Sequence, residues 1–210
     1  MDDKLIAVID YRAGNSPSVL NALTKLGVPA KLANTAEEIE RADGIILPGV
    51  GSADATMQSL RELGLISDGG GLLYELVLEK KVPFLGICVG EQVLFEHSEE
   101  GDVNCLGWLR GEVKRFDGSA VRVPQMGWNK VVFAREGRLN RDVRESYLYF
   151  VNSYRAVPAD ASDTLGTADY GGDFCAVVER GNIFGAQCHL EKSGRAGLEF
   201  LQNFALICEK

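Results

Sequence analysis

Histidine is scarce in this sequence, with two in 210 residues, and positive charge is outnumbered, with 22 lysines and arginines against 30 acids for a formal charge of −8. A chain this acidic lacks the basic footprint that nucleic-acid phosphates require. None of the five cysteines (Cys88, Cys105, Cys175, Cys188, Cys208) forms a C-x-x-C pair, and their number is odd. No metal site is therefore expected, and a reduced, cytoplasmic setting is. The first residues, MDDKLIAVIDY, open on two acids and hold only a short apolar run, so they read as neither a secretory signal nor a membrane span. Internal repeats and low-complexity linkers are also missing. What is present is ordinary for a soluble globular protein: 46% hydrophobic and 25% charged residues, enough for one sizeable α/β domain over 1–210.

The first half alternates strand and helix patterns. LIAVIDY, PAKLAN, GIILPG and VPFLGI read as strands. Ser16 as N-cap with Pro17 at the first helical position opens a helix that Gly27 closes. Thr35 and Glu38 form a capping box for a short helix. Further helices are expected near 53–63 and 72–81. This alternation implies a mostly parallel sheet with helices on its faces. From about Cys105 the texture is β-rich, with Arg180-Gly181-Asn182 as a hairpin loop, and a last helix is expected over roughly 196–208.

The chemistry concentrates where VPFLGI leaves its strand through Gly86-Ile87-Cys88-Val89-Gly90. This has the form of a nucleophile elbow carrying cysteine. The backbone there is strained and both flanks are crowded, which calls for glycine on each side. The turn sets the sulfur at a helix N-terminus, where the dipole and free N–H groups favour thiolate over a thiol of pKa about 8.5. Packing is the competing reading, because cysteine is often simply buried.

A cysteine nucleophile needs a base. His97 lies in the helix after the elbow, beside three polar residues, and reads as a solvent-facing residue. His189 closes the apolar run NIFGAQCH and is followed at i+2 by Glu191. On a strand end these two point to the same side, so Glu191 can hold the imidazole while its other nitrogen faces the sulfur. A third element, the Leu47 to Ser52 stretch LPGVGS, offers backbone N–H groups at Gly49, Val50 and Gly51 for an oxyanion hole. Taken alone it is equally an ordinary turn.

In the order strand-PGVG, G-x-C-x-G and late His-x-Glu, the chain resembles the class I, triad-type glutamine amidotransferases. DYRAGN at 10–15, VPQMGWNKV at 123–131, YFVNSYRA at 149–156 and GAQCHLEKS at 185–193 narrow the likeness to the glutaminase subunits of imidazole glycerol phosphate synthases. The likeness spans essentially the whole chain. It implies a flavodoxin-like three-layer α/β/α fold with added antiparallel strands and no cofactor. It also implies hydrolysis of L-glutamine to glutamate and ammonia by Cys88, His189 and Glu191. By the same resemblance, Gln92, Glu100, Ser153 and Tyr154 hold the substrate. Asn15, Trp128, Asn129, Tyr149 and Lys192 face a (β/α)8-barrel cyclase, which uses the ammonia to make imidazole glycerol phosphate and an aminoimidazole carboxamide ribotide for histidine biosynthesis.

Four positions depart from the family pattern. Leu190 replaces proline between His189 and Glu191, which implies a looser geometry there because proline fixes φ. Gln125 and Asn152 stand where histidine is usual, and Cys188 where phenylalanine is. Amides hydrogen-bond but carry no proton at neutral pH. Two alternatives stay open: a class I glutaminase serving another acceptor, and a binding subunit with impaired turnover.

Overall fold

Short apolar runs in the first half become parallel strands buried on both faces, the environment that such runs demand. The computed structural model describes residues 4–11, 15–143 and 145–209. In chain order, β1 (Ile6–Ile9), α1 (Ser16–Lys25), β2 (Ala30–Ala33), α2 (Ala36–Glu40), β3 (Gly44–Leu47) and α3 (Ala53–Glu62) alternate. They are followed by α4 (Leu72–Tyr74), β4 (Phe84–Ile87) and α5 (Val89–Gln92). The β-rich part comprises β5 (His97–Ser98), β6 (Val103–Asn104), β7 (Gly111–Arg115), β8 (Gln125–Phe133) and β9 (Glu145–Asn152). It continues through β10 (Tyr154–Pro158), β11 (Thr164–Asp169), β12 (Asp173–Arg180) and β13 (Ile183–Ala186), and α6 (Gly194–Cys208) closes the chain.

One 13-stranded sheet runs β2-β1-β3-β4-β13-β12-β10-β7-β5-β6, and β11 extends it from β12 to the β8–β9 hairpin. The five strands from β2 to β13 are parallel, and β12 begins the antiparallel part. Helix α1 packs on β1, β2 and α6, and α5 packs on β4, β13 and α3, giving the α/β fold that was expected. The α6 side chains Phe200, Leu201 and Phe204 are fully buried, each contributing about 1.5–3 kcal/mol of hydrophobic stabilisation.

Register explains why distant motifs meet. In β3 and β4, Leu47 pairs with Gly86, so the Pro48–Gly51 turn leaves the sheet beside the elbow. In β13 and β4, Ala186 pairs with Ile87, so residues 187–189 emerge beside Cys88. The Cys88 N–H donates to the Ala186 carbonyl oxygen at 2.8 Å. All three motifs thus leave the carboxyl ends of adjacent parallel strands, the usual place for a site in an open α/β sheet.

Several local expectations are corrected. Asn15, not Ser16, is the N-cap of α1, because the Ser16 hydroxyl donates to the Ile9 carbonyl oxygen instead. The helix expected over 72–81 is α-helical only to Tyr74 and winds as a π-turn over Glu75–Glu79. Helix α5 lasts a single turn, so its dipole is weaker than a long helix would supply, and His97 lies not in it but on strand β5. That histidine is half-buried, with Nε2 3.3 Å from Asp102 Oδ1. Within DYRAGN, residues 12–14 lie outside the described residues.

The glycine bracket is the tightest steric feature of the fold. A Cβ on Gly86 would overlap the Gly90 carbonyl, and one on Gly90 would overlap the Leu47 carbonyl oxygen. Gly107, by contrast, has positive φ but open space around it. Gly90→Ala should cost about 3 kcal/mol or more, against about 1–2 kcal/mol for Gly107→Ala. Urea denaturation measures both, and equal costs would contradict the steric account.

Candidate active site

Cys88 sits at φ 57°, ψ −110°, in backbone space that L residues rarely occupy, at a cost of order 1–3 kcal/mol. The two flanking glycines let the neighbouring chains approach closely enough to hold it there. The Pro48–Gly51 turn is pressed against the same elbow: a Cβ on Gly49 would lie 2.8 Å from Val89 Cβ and 2.9 Å from the Gly90 nitrogen. That Cβ would also lie 2.9 Å from the Tyr11 hydroxyl oxygen, so the tyrosine of the DYRAGN segment backs this turn.

His189 and Glu191 meet as expected, but not by strand alternation: β13 ends at Ala186, and Glu191 lies in a 3-10 turn that His189 precedes. Nδ1 and Glu191 Oε1 are 2.8 Å apart, and both side chains are almost wholly buried. The looser geometry expected from Leu190 is not found. Leu190 is itself buried and opens a one-turn 3-10 segment, Leu190–Lys192, that fixes the offset between the two. The histidine backbone is held from β9: the His189 N–H donates to the Tyr149 carbonyl oxygen at 2.9 Å. The Ser193 hydroxyl donates to the His189 carbonyl oxygen and accepts from the Tyr149 N–H.

With Nδ1 on Glu191, Nε2 is the ring nitrogen left to face the cleft wall that also carries Cys88. Burial alone disfavours the imidazolium, but hydrogen bonds and charge from Cys88 and Glu191 outweigh it, and the ring pKa is pushed up to about 10. Burial pushes the Glu191 carboxyl up, yet the hydrogen bond and charge of His189 and the Asn15 amide hold it below its usual value. Asn15 Nδ2 donates to Glu191 Oε1 at 3.1 Å. Expected at a partner-facing surface, Asn15 is in fact buried behind the imidazole.

Cys88 and His189 open onto a cleft of about 320 Å³, the scale of a small-molecule site. Val50, Gly51, Gln92 and Glu100 line it with Ser153, Tyr154 and Lys192, so these expected residues converge. Burial pushes the Glu100 carboxyl up, an Ala53 N–H hydrogen bond pulls the other way, and the Asp54 charge adds to the rise. Trp128 and Tyr149 pair across the β8–β9 ladder with ring centroids 5.8 Å apart. Asn129 instead donates to the Asp169 carbonyl oxygen. Gln125 is fully buried opposite Asn152, and neither of its amide atoms has a hydrogen-bond partner among the described residues.

Sequence reasoning missed Tyr11 and Gln187. Gln187 carried only one sequence signal, its place close to His189 in the motif; bends at 187 and 188 after β13 break strand alternation, so no spacing rule put it beside the sulfur.

A family model described as glutamine amidotransferase class-I matches residues 7–208. A protein of Geobacillus kaustophilus named imidazole glycerol phosphate synthase subunit HisH is 45% identical, covering 97% of this chain and 97% of that protein. A protein of Pseudomonas aeruginosa named subunit HisH 2 of the same synthase is 45% identical over 95% of this chain and 98% of its own. The solved structure of PurLQS from Thermotoga maritima superposes with a TM-score of 0.74 at 18% identity, covering 99% of this chain and 100% of that one. At that identity it supports the fold alone.

The least expected side chain is Glu91, one turn past Cys88. It is fully buried, and neither carboxyl oxygen has a hydrogen-bond partner among the described residues. Gly185 makes the room: a Cβ there would lie 2.6 Å from Glu91 Cγ. Burial, with the Cys88 charge adding to it, pushes this carboxyl well above the usual range. The folded state therefore keeps a proton that the unfolded chain releases near its ordinary pKa of about 4.3. Stability should fall by about 1.4 kcal/mol per pH unit above that point until the folded-state pKa is reached. Glu91→Met should remove this slope, so its advantage over the parent grows as the pH rises above the unfolded-state value of about 4.3. Urea denaturation across that range checks it, and parallel curves would show Glu91 to be ionised or solvated.

Proposed function

The chain belongs to the class I glutamine amidotransferase family, and from that premise we propose that it is the glutaminase subunit of an imidazole glycerol phosphate synthase. The observation that carries the catalytic part is the buried His189–Glu191 pair, its imidazole lining the same cleft as a strained Cys88. The names of relatives 45% identical over nearly full length support the synthase part.

In this reading Cys88 Sγ attacks the side-chain amide carbon of L-glutamine. Backbone N–H groups of Gly49, Val50 and Gly51 receive the charge that develops on the amide oxygen. His189 gives the proton taken from sulfur to the departing nitrogen, ammonia leaves, and a glutamyl thioester forms. His189 then takes a proton from water as that water attacks the thioester, and glutamate departs with the sulfur and ring restored. Glu191 stays ionised throughout and keeps Nδ1–H pointed away from the sulfur. Gln92 Oε1, which has no partner among the described residues, is an acceptor for glutamine's polar groups, with Glu100, Ser153 and Tyr154 completing the pocket. We assign one amidotransferase domain to 1–210 and a cytoplasmic setting, which suits five free thiols. No helix among the described residues is long and apolar enough to cross a membrane.

The partner in this reading is a barrel-type cyclase docked on the β8–β9 hairpin. Along its outer face Met126, Trp128 and Tyr147 are 66%, 53% and 61% exposed, a concentration of large apolar groups that marks an interaction surface. Pro124 and Val151, at the same end of the hairpin, line the cleft. A partner seated there would cover the cleft mouth and take ammonia directly, with Lys192 at the rim.

Adding a cyclase with its nucleotide ligand should raise glutamine hydrolysis well above that of the isolated chain. Cys88→Ala should abolish hydrolysis and leave the complex intact, while Trp128→Ala should weaken the complex about tenfold or more. Coupled glutamate assays and titration calorimetry read both. Undiminished turnover in Cys88→Ala, or unchanged affinity in Trp128→Ala, would refute the corresponding assignment.

A further inference from the structure

Gln187 is fully buried and bridges the nucleophile and Gln92. Its Nε2 lies 3.7 Å from Cys88 Sγ, within reach of a sulfur acceptor, and its Oε1 accepts from Gln92 Nε2 at 2.8 Å. Its backbone is pinned as well, since the Gln187 N–H donates to the Ala176 carbonyl oxygen on β12.

The direction of this chain of amides follows from its far end. Gln92 Nε2 also donates to the Tyr154 carbonyl oxygen at 3.1 Å, and Asn152 Nδ2 donates to the same oxygen at 2.9 Å. A backbone carbonyl can only accept, so the NH2 end of Gln92 must face it. The second hydrogen of that NH2 then requires an acceptor, which fixes the Gln187 oxygen toward Gln92 and the Gln187 NH2 toward the sulfur. The sulfur is thereby offered a neutral N–H donor in addition to the imidazole. His189 must release its proton to the leaving group, whereas an amide cannot, so this donor persists through the whole cycle.

We propose that Gln187 is a positioning residue for the nucleophile: its amide donates to Cys88 Sγ, favours the anionic sulfur and aims it at the cleft. Gln92 and the Tyr154 carbonyl hold that amide in register. The proposal rests on Cys88 being the nucleophile of the function given above, and it goes beyond the triad. Because Gln92 also lines the substrate cleft, the network ties the pocket wall to the sulfur through two hydrogen bonds.

The test measures how the rate of Cys88 alkylation by iodoacetamide depends on pH in the full-length parent, Gln187→Met and Gln187→Glu, with the site mapped by mass spectrometry. Losing a hydrogen bond to a charged group should move the midpoint of the Gln187→Met profile to higher pH and slow alkylation at neutral pH about tenfold. Gln187→Glu should move it at least as far, since it replaces a donor with a carboxylate. With the cyclase bound, kcat should fall about tenfold while KM stays within about threefold, because Gln92 keeps its bond to Tyr154. A folded Gln187→Met whose alkylation profile overlays the parent's would overturn the proposal.

Should both variants fail to fold, the Gln187 side-chain 1H–15N resonances of the parent decide. They should shift with the same midpoint as Cys88 alkylation, and resonances indifferent to sulfur ionisation would overturn the proposal equally. A Cys88→Ala protein that still hydrolyses glutamine would instead sink the functional reading, whatever Gln187 does.

Discussion

Everything at the cleft depends on one steric constraint, the backbone of Cys88 held at φ 57° between neighbours that leave no room for a Cβ on Gly86 or Gly90. Strain of order 1–3 kcal/mol would relax unless the surroundings over-determined it. Here the two strands flanking β4 and the helix after it do so. The end of β3 presses the Pro48–Gly51 turn onto the elbow, β13 accepts the Cys88 N–H through Ala186, and α5 begins at once. The sulfur consequently has one place to be, and the turn, the imidazole and the Gln187 amide are delivered to it by strand register.

The second organising fact is how charge is handled where water is largely excluded. His189 and Glu191 favour each other's charged forms strongly enough to overcome burial, and Asn15 supplies a further N–H to the carboxylate. Glu91 shows the contrasting outcome a short distance away. Without a partner among the described residues, burial prevails and the carboxyl keeps its proton. Two acids near one sulfur are thus pushed in opposite directions, Glu91 toward its neutral form and Glu191 toward its charged form, for reasons visible in their surroundings. The proposed triad needs an ionised carboxylate, while a second negative charge beneath the elbow would oppose an anionic sulfur.

Much of this was legible in the residues because the decisive constraints are local. Glycines at both flanks of a cysteine report a crowded turn; the His189–Glu191 pairing was also anticipated, although a 3-10 turn rather than strand alternation brings the two together. The parallel half was legible for the same reason, since runs such as GIIL and FLGI suit strands covered on both faces. What escaped depends on partners far away in the chain. Asn15 reaches Glu191 across 176 positions, and no spacing rule connects them. Ser16 has the chemistry of an N-cap, but a tertiary hydrogen bond to Ile9 claims its hydroxyl. The brevity of α5 was hidden because VLFE continues an apolar pattern that a helix would also show; tertiary packing ends it and starts β5 instead. Leu190 misled in the opposite direction, as burial and the 3-10 turn supply the rigidity that proline would otherwise give.

The β8–β9 hairpin joins the two ends of the account. Its outer face carries the exposed Trp128, while the backbone of Tyr149 bonds both His189 and Ser193, so the proposed docking face and the proposed base share one strand. The central claim, that the Cys88 sulfur opens the amide of glutamine, is tested most directly by acid-quenching the cyclase complex during turnover and mapping adducts by mass spectrometry. The account predicts a glutamyl thioester on the peptide containing Cys88. Rapid turnover with that peptide never modified, or a glutamyl adduct on another residue, would contradict it.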